Sequence, residues 1–422
     1  MVPVSSPSSW LRLVPVVFLP FAAGYFLSYL YRTVNGVIAD SLMQELGLGP
    51  AGLGVLTSAY FVAFASIQIP LGVLLDRFGP RRVEAGLLLI AALGAMVFAA
   101  GHDTPTLAAG RALIGLGVSS CLMAAVTANV LWWPAARLPL ANGCLMAFGG
   151  LGVVAATTPV AALLPVLGWR GLFVSLAVLT AATAALLWAV VPEKPRHAPP
   201  ARLSALLSGT LAVFSSRLFW RIVPANVLVQ SSFMAYIGLW MGGWLRDVVG
   251  YDRILTATTL QNAALAMIAG FFISGGLAGK VAQWGLAPSR LASLGLALCV
   301  GLQALVLALW GLDATDYTPI VWIAYTFMAT FSVLILAFLP QRFPRELAGR
   351  VNTAVNVLYF GLAFLLQAGV GLVVDDYPRT AQGTPAPEGH VVALLFLVVL
   401  QILGLIWHLW PREPLVSGHE DR

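Results

Sequence analysis

Gly72-Val-Leu-Leu-Asp76-Arg77-Phe78-Gly79-Pro80-Arg81-Arg82 stands between two apolar runs, roughly 50–74 and 83–101. Each run can carry a helix across a bilayer, which takes about 20 predominantly apolar residues. The quoted stretch cannot lie in lipid, because Asp76 to Arg82 holds one acid and three bases in seven residues. The chain therefore leaves the membrane here and turns straight back. The glycines let two helix ends approach closely. Asp76 suits the N-terminus of a neighbouring helix or an arginine partner, and the bases suit anionic lipid heads.

The rest of the chain repeats this pattern. Of 422 residues, 59% are apolar and only 9% charged, with a mean hydropathy of +0.89. A soluble domain carries about 25% charged residues, so lipid must solvate most of this surface. A net charge of +6 is too thinly spread for a nucleic-acid groove. Cys121, Cys144 and Cys299 each sit in an apolar run, and no disulfide framework or metal clip can be built from them. Soluble enzyme, secreted scaffold and nucleic-acid binder are all disfavoured.

Twelve apolar runs can be read, at roughly 13–38, 50–74, 83–101, 105–132, 140–166, 170–191, 219–245, 255–279, 289–311, 318–340, 347–374 and 390–410. They are too long for the strands of an outer-membrane barrel, about 10 residues each. Trp10, Trp132, Trp133, Trp169, Trp220, Trp284 and Trp410 fall near run ends, as an interfacial belt requires. The polar Ser5 to Ser9 stretch and the long first run do not fit a cleavable signal peptide. With the N-terminus in the cytoplasm, seventeen Lys and Arg fall on the inner side and four on the outer, Arg170, Arg246, Arg253 and Arg379. Arg32 and Arg111 remain inside runs. The positive-inside rule thus predicts both termini in the cytoplasm, with the chain in the cytoplasmic (inner) membrane.

Residues 192–218 carry four prolines and the bases Lys194, Arg196, Arg202 and Arg217, which predicts a cytoplasmic linker between residues 1–191 and 219–422. The halves echo each other. Gly72-x-x-x-Asp76-Arg77 is matched by Gly275-x-x-x-Gly279-Lys280, offset by 203 positions. The expected fold is an all-α membrane protein with twelve transmembrane helices in two pseudo-symmetric six-helix bundles.

The loop resembles the signature loop of the major facilitator superfamily, and the resemblance extends over essentially the whole chain. Arg111-x-x-x-Gly115-x-Gly117, Gly168-Trp169-Arg170-Gly171-Leu172-Phe173 and Val191-Pro192-Glu193-Lys194-Pro195 support it. The resemblance implies a gating contact at the inner helix ends, formed here by Gly72, Asp76, Arg77, Gly79 and Arg81. Gly279 takes the acidic position in the second half, which weakens the matching contact there. A monomer is that family's usual form.

Leu27-Ser28-Tyr29-Leu30-Tyr31-Arg32-Thr33-Val34-Asn35-Gly36-Val37-Ile38-Ala39 is similar to the Y-x-D-R-x-N-x-x-x-A pattern of the anion:cation symporters, with Asn35 and Ala39 displaced by one. Those carriers take sugar acids, phosphate esters and sialic acid. The resemblance implies that Arg32 in span one and Arg111 in span four meet an anionic group. Span physics points the same way. An unpaired arginine in the bilayer core costs about 2.5 kcal/mol or more, so it should face a cavity and a partner. No Asp or Glu is expected in the middle of any span, and Glu84 is placed at an inner end. Snorkelling to the headgroups is the alternative for Arg32, and a conformational role for Arg111. Tyr31 replaces the symporters' proton-sensing Asp, and Val118 stands where some carry a Glu. Anion exchange or facilitated diffusion needs neither.

The expected substrate site is Arg32, Arg111, Tyr31, Asn35, Gln230, Tyr236, Gln261 and Asn356. The expected function is alternating-access transport of a small organic or inorganic anion, with no cofactor and no metal. All five His lie in loops or at span ends, and no hydrolase motif appears within the spans. The expected partners are that anion and membrane lipid, with no nucleic acid. The rivals are an exporter of hydrophobic compounds and a transport-inactive receptor or assembly factor of the same fold.

Overall fold

The computed structural model describes residues 13–134, 137–193, 203–283, 288–344, 347–380 and 384–410. Every regular element among them is helical. The first crossing opens with a π-helical turn at Val14–Phe18 and continues as α1 (Leu19–Thr33) and α2 (Asn35–Leu46), separated at Val34. It ends at Gly47, whose φ of 62° is the left-handed cap glycine adopts without strain. α3 (Pro50–Ser66) starts on a proline, tolerated in a first turn where the N–H has no helical partner. α4 (Gln68–Ala100) is two helices in one, because Gly79 at φ 80° and ψ 160° turns the chain back. α5 (Thr104–Val118) is capped by Asp103, whose carboxylate accepts from the Thr106 N–H at 2.8 Å. α6 (Cys121–Trp132), α7 (Leu138–Ala155) and α8 (Thr158–Val190) complete the first half, and α8 is again divided, at Gly168.

α9 (Leu203–Phe214) lies in the expected linker, so part of that segment is helical. Lys194, Arg196 and Arg202 fall outside the described residues. The second half comprises α10 (Arg217–Ala235), a π-helical segment Tyr236–Trp240, α11 (Met241–Asp247), α12 (Arg253–Gln283), α13 (Pro288–Gly311), α14 (Thr318–Ser332), α15 (Ile335–Phe338), α16 (Ala348–Asp375) and α17 (Pro387–Leu409).

Nine helical stretches among the described residues are long and apolar enough to cross a membrane. The twelve runs map onto the helices once α4 and α8 are divided at their glycines and α3, α7 and α14 are counted as parts of crossings. Interruption is what shortens the tally. α3 stops at Ser66 and α14 at Ser332, each before the polar–apolar run does.

One face, termed near, carries residue 14, Gly79 and Leu409. The other, termed far, carries Gly47, Gly168 and Gly250. The halves close against each other on the far side. Gly54 of α3 sits so near the Gln367 carbonyl of α16 that a Cβ would lie 2.8 Å from it, and Gly371 approaches the Pro50 carbonyl equally closely. Gln367 donates to the Thr57 hydroxyl at 2.7 Å. Close backbone approach through small residues, with side-chain bonds across, is the packing mode of membrane helices.

One expectation needs correction. Glu84 is not at a wetted span end but fully buried, beside Cys121 and pressed into the space left by Gly24. Neither carboxyl oxygen has a hydrogen bond among the described residues. The turn at Gly79 explains the error. It is so tight that residue 84 is already inside the bundle.

Candidate functional site

Tyr25, Ser28, Tyr29 and Arg32 recur at three- and four-residue intervals, so α1 presents them on one face. That face lines a cavity of about 100 Å³ between the halves. Phe64 and Gln68, flanking the break at Ile67, line it from the first half. Gln230 of α10 and Asn356 and Phe360 of α16 line it from the second.

Arg32 is 8% exposed and sits among aromatic rings. Its guanidinium carbon lies 4.8 Å from the centroid of Tyr29, 5.2 Å from Phe360, 5.5 Å from Phe64 and 6.0 Å from Tyr60. Phe64 and Phe360 come from opposite halves and their centroids are 3.9 Å apart. Such faces stabilise a cation by about 0.5–2 kcal/mol each, without neutralising it. Nε has no hydrogen-bond partner, and among the described residues no carboxylate pairs with Arg32. The box holds the charge in place and leaves it available to an anion.

Three amides offer further groups. Gln230 accepts from Ser332 at 2.7 Å, and its NH2 makes no hydrogen bond among the described residues. Gln68 donates to the Phe64 carbonyl at 3.4 Å, and its own oxygen is unsatisfied. Asn356 makes no side-chain hydrogen bond among the described residues.

The structure brings Arg32, Gln230 and Asn356 together and leaves the other expected site residues elsewhere. Arg111 is fully buried inside the first half, 4.6 Å from the Phe98 ring centroid and 5.0 Å from Phe173. It donates to the Tyr31 carbonyl at 3.1 Å. Tyr31 turns the same way and bonds Thr180 at 2.9 Å. Asn35 is buried outside the cavity wall. Tyr236 stacks on Trp322 at 4.9 Å within the second half. Gln261 accepts from Thr158, a bond between the halves. Sequence reasoning missed Tyr25, Tyr29, Phe64 and Phe360 as site residues. The spacing of Tyr25, Tyr29 and Arg32 was a readable signal. Phe64 and Phe360 had none, since Phe is ordinary in a lipid-facing run.

The loop expected to gate lies on the near face, away from the cavity. Arg77 covers the Phe78 ring at 5.2 Å. Arg81 donates to the Trp188 carbonyl at 2.5 Å, and Arg82 pairs with Glu193 at 2.6 Å, tying the loop to the end of α8. Gly72 lies in α4 one turn before Asp76. On the far face, Glu45 accepts from the Trp169 indole at 2.5 Å and pairs with Arg170. Slight burial works to raise the Glu45 pKa, but those two hydrogen bonds and the Arg170 charge outweigh it and hold the carboxyl below its ordinary range.

Comparison with known proteins agrees with this architecture. The model of the Major Facilitator Superfamily matches residues 21–368. The chain is 22% identical to a probable sulfoacetate transporter of Cupriavidus necator, across 90% of this chain and 92% of that one. It is 25% identical to a gallate transporter of Pseudomonas putida, across 86% and 87%. Among solved structures, an inward-facing bacterial homolog of the human lysosomal transporter Spinster superposes with a TM-score of 0.73 at 17% identity, covering 93% of this chain and 95% of that one. A family match over most of the chain, on an all-helical fold with its cavity between two halves, means that this chain belongs to the Major Facilitator Superfamily and is a membrane transporter rather than an enzyme.

Proposed function

We propose that the chain is a monomeric secondary transporter that carries a small organic anion across the cytoplasmic membrane by alternating access, with both termini in the cytoplasm. The observation that carries this reading is Arg32, a buried cation on the wall of the cavity between the halves with no carboxylate to neutralise it among the described residues. A charge in a span needs a partner, and a guanidinium grips two carboxylate oxygens at once. Gln230 and Asn356 add hydrogen bonds from the second half, so a bound anion would touch both halves. Arg111 and Tyr31 brace the helix that carries Arg32. The substrates for which those relatives are named, sulfoacetate and gallate, are organic anions and support the reading.

The near-face loop from Gly72 to Arg82 acts as the gate. Asp76→Asn should slow turnover more than it weakens binding, and lost affinity with a normal maximal rate would place Asp76 in the site instead. The deciding experiment is uptake into proteoliposomes of radiolabelled carboxylates, sugar acids, phosphate esters, nitrate and hydrophobic cations. Anion uptake upholds the reading. The aromatic lining favours one rival, an exporter of hydrophobic compounds, which uptake of a hydrophobic cation alone would support.

A further inference from the structure

The anion reading leaves the body of the substrate open, and the cavity wall constrains it. Beyond the ring box of Arg32 the wall includes Met123, Met146, Phe233, Met234 and Phe271. Thioethers and ring faces suit a flat apolar group and offer hydroxyls only weak acceptors. Most hydroxyls around the cavity are already committed within the protein. Ser28 donates to the Val118 carbonyl at 3.4 Å, Ser119 to the Leu116 carbonyl at 2.7 Å, and Tyr25 to the Met146 sulfur at 3.6 Å. Tyr359 donates to Asn226.

Charge is as limited as polarity. Arg32 is the only charged residue on the cavity wall among the described residues. Arg111, the other cation within a span, is fully buried, with Phe98 and Phe173 against its guanidinium. A dianion would therefore bury its second charge without a partner. A sugar acid would bury several hydroxyls with few partners, and each unmet one weakens binding. A nitrate-sized ion would leave the apolar wall unfilled.

We propose that the substrate is a monocarboxylate on a flat, largely apolar body, in its simplest form an aromatic carboxylate, with the carboxylate on Arg32 and the ring against the methionine and phenylalanine wall. This rests on the anion-carrier reading. The Gln230 NH2 and the Asn356 amide leave room for one or two polar substituents on that body.

The test is ligand-induced thermal stabilisation of the full-length protein in detergent, titrated with benzoate, gluconate, terephthalate, nitrate and tetraphenylphosphonium. Benzoate should half-saturate at a concentration at least about tenfold below gluconate and terephthalate, since one unmatched buried polar group suffices for that factor. Phe233→Ala should weaken benzoate several-fold by removing part of the wall. Arg32→Lys, which keeps the charge, should weaken it too. Tighter binding of gluconate, terephthalate or nitrate would overturn the substrate class and leave the anion reading standing. Stabilisation by tetraphenylphosphonium alone, or by none of the five, would overturn both.

Discussion

Asp40 and Arg246 pair at 2.9 Å, and they come from opposite halves of the chain. Asp40 lies on α2 and Arg246 on α11, and the guanidinium also reaches the Gly36 carbonyl at 3.4 Å. Their side chains are 27% and 13% exposed, so water screens the pair only in part. Eight residues separate Asp40 from Arg32, about 12 Å along a helix. The pair therefore latches the far face above the cavity, and a far-open state must break it.

Removing the latch should shift the conformational equilibrium. Asp40→Asn deletes the charge and keeps the shape, which should favour the far-open state by about 1 kcal/mol, or several-fold in population. Spin labels at Gln44 and Thr384, which line the far-side hollow from the first and second halves, would report a longer distance. Exchanging the pair, with Asp40→Arg and Arg246→Asp together, should restore the shorter one. An unchanged distance distribution in Asp40→Asn would mean that the glycine contacts of α3 and α16 hold the far face shut alone.

Arg32 and Arg111 should behave as different kinds of arginine. Arg32→Ala should lose anion-induced stabilisation while the unliganded protein still folds, because its ring box can close on a smaller side chain. A desolvated charge-assisted contact contributes about 1.5–3 kcal/mol, or roughly ten- to hundred-fold in affinity. If Arg32→Ala kept wild-type stabilisation by every anion the wild type recognises, the anion reading would lose its main support.

Arg111→Met should do the reverse. The melting temperature should fall, because the Tyr31 carbonyl loses its donor and two rings lose their cation. Anion affinity in the surviving folded protein should stay within about threefold of wild type, since a brace changes stability before it changes binding. A hundred-fold loss of affinity at unchanged melting temperature would put Arg111 in contact with substrate.

The far-face cluster of the first half should respond to acid. The Glu45 carboxyl is held below its ordinary value, so its contribution is present above the ordinary carboxylate range and lost as pH falls through the lowered value. Fluorescence of Trp169, whose indole donates to Glu45, should change only on acidification below the ordinary carboxylate range. Glu45→Gln should abolish that step, and its persistence in the variant would assign the step to another group.

The fold was legible because its signals are collective. A turn such as Gly79-Pro80 between two long apolar runs has one physical solution, and twelve repetitions of apolar run and break leave little choice of architecture. The site was legible only where a residue was improbable in lipid. Arg32, Gln230 and Asn356 stood out on that ground. Arg111 stood out too, yet it lies against the rings of Phe98 and Phe173 inside one half, with Nε and one Nη lacking a hydrogen-bond partner among the described residues, and the spacing of span four does not say which way it points. The aromatic box was hidden for the opposite reason: Phe64 and Phe360 are 296 positions apart and ordinary in any span. Glu84 was misplaced because run boundaries carry errors of a few residues, and a few residues separate a wetted carboxylate from a buried one.

Coupling turns on those carboxylates. The Tyr31 hydroxyl is engaged with Thr180, and Val118 is an apolar part of the cavity wall. Neither position offers a carboxylate to take and give a proton, and the cavity wall holds none among the described residues. Transport should therefore run as anion exchange. Loading the same anion on the opposite side should accelerate uptake several-fold. An inward proton gradient should change steady-state accumulation little beyond its effect on the anion's own ionisation. Glu84 is the one fully buried carboxylate among the described residues, and it lies behind the wall beside Cys121. Glu84→Gln keeps its shape and removes its proton site, so under the exchange mechanism it should transport at close to the wild-type rate. Steep accumulation driven by the proton gradient in wild type, abolished by an uncoupler and absent in Glu84→Gln, would instead make Glu84 the coupling group and end the exchange reading.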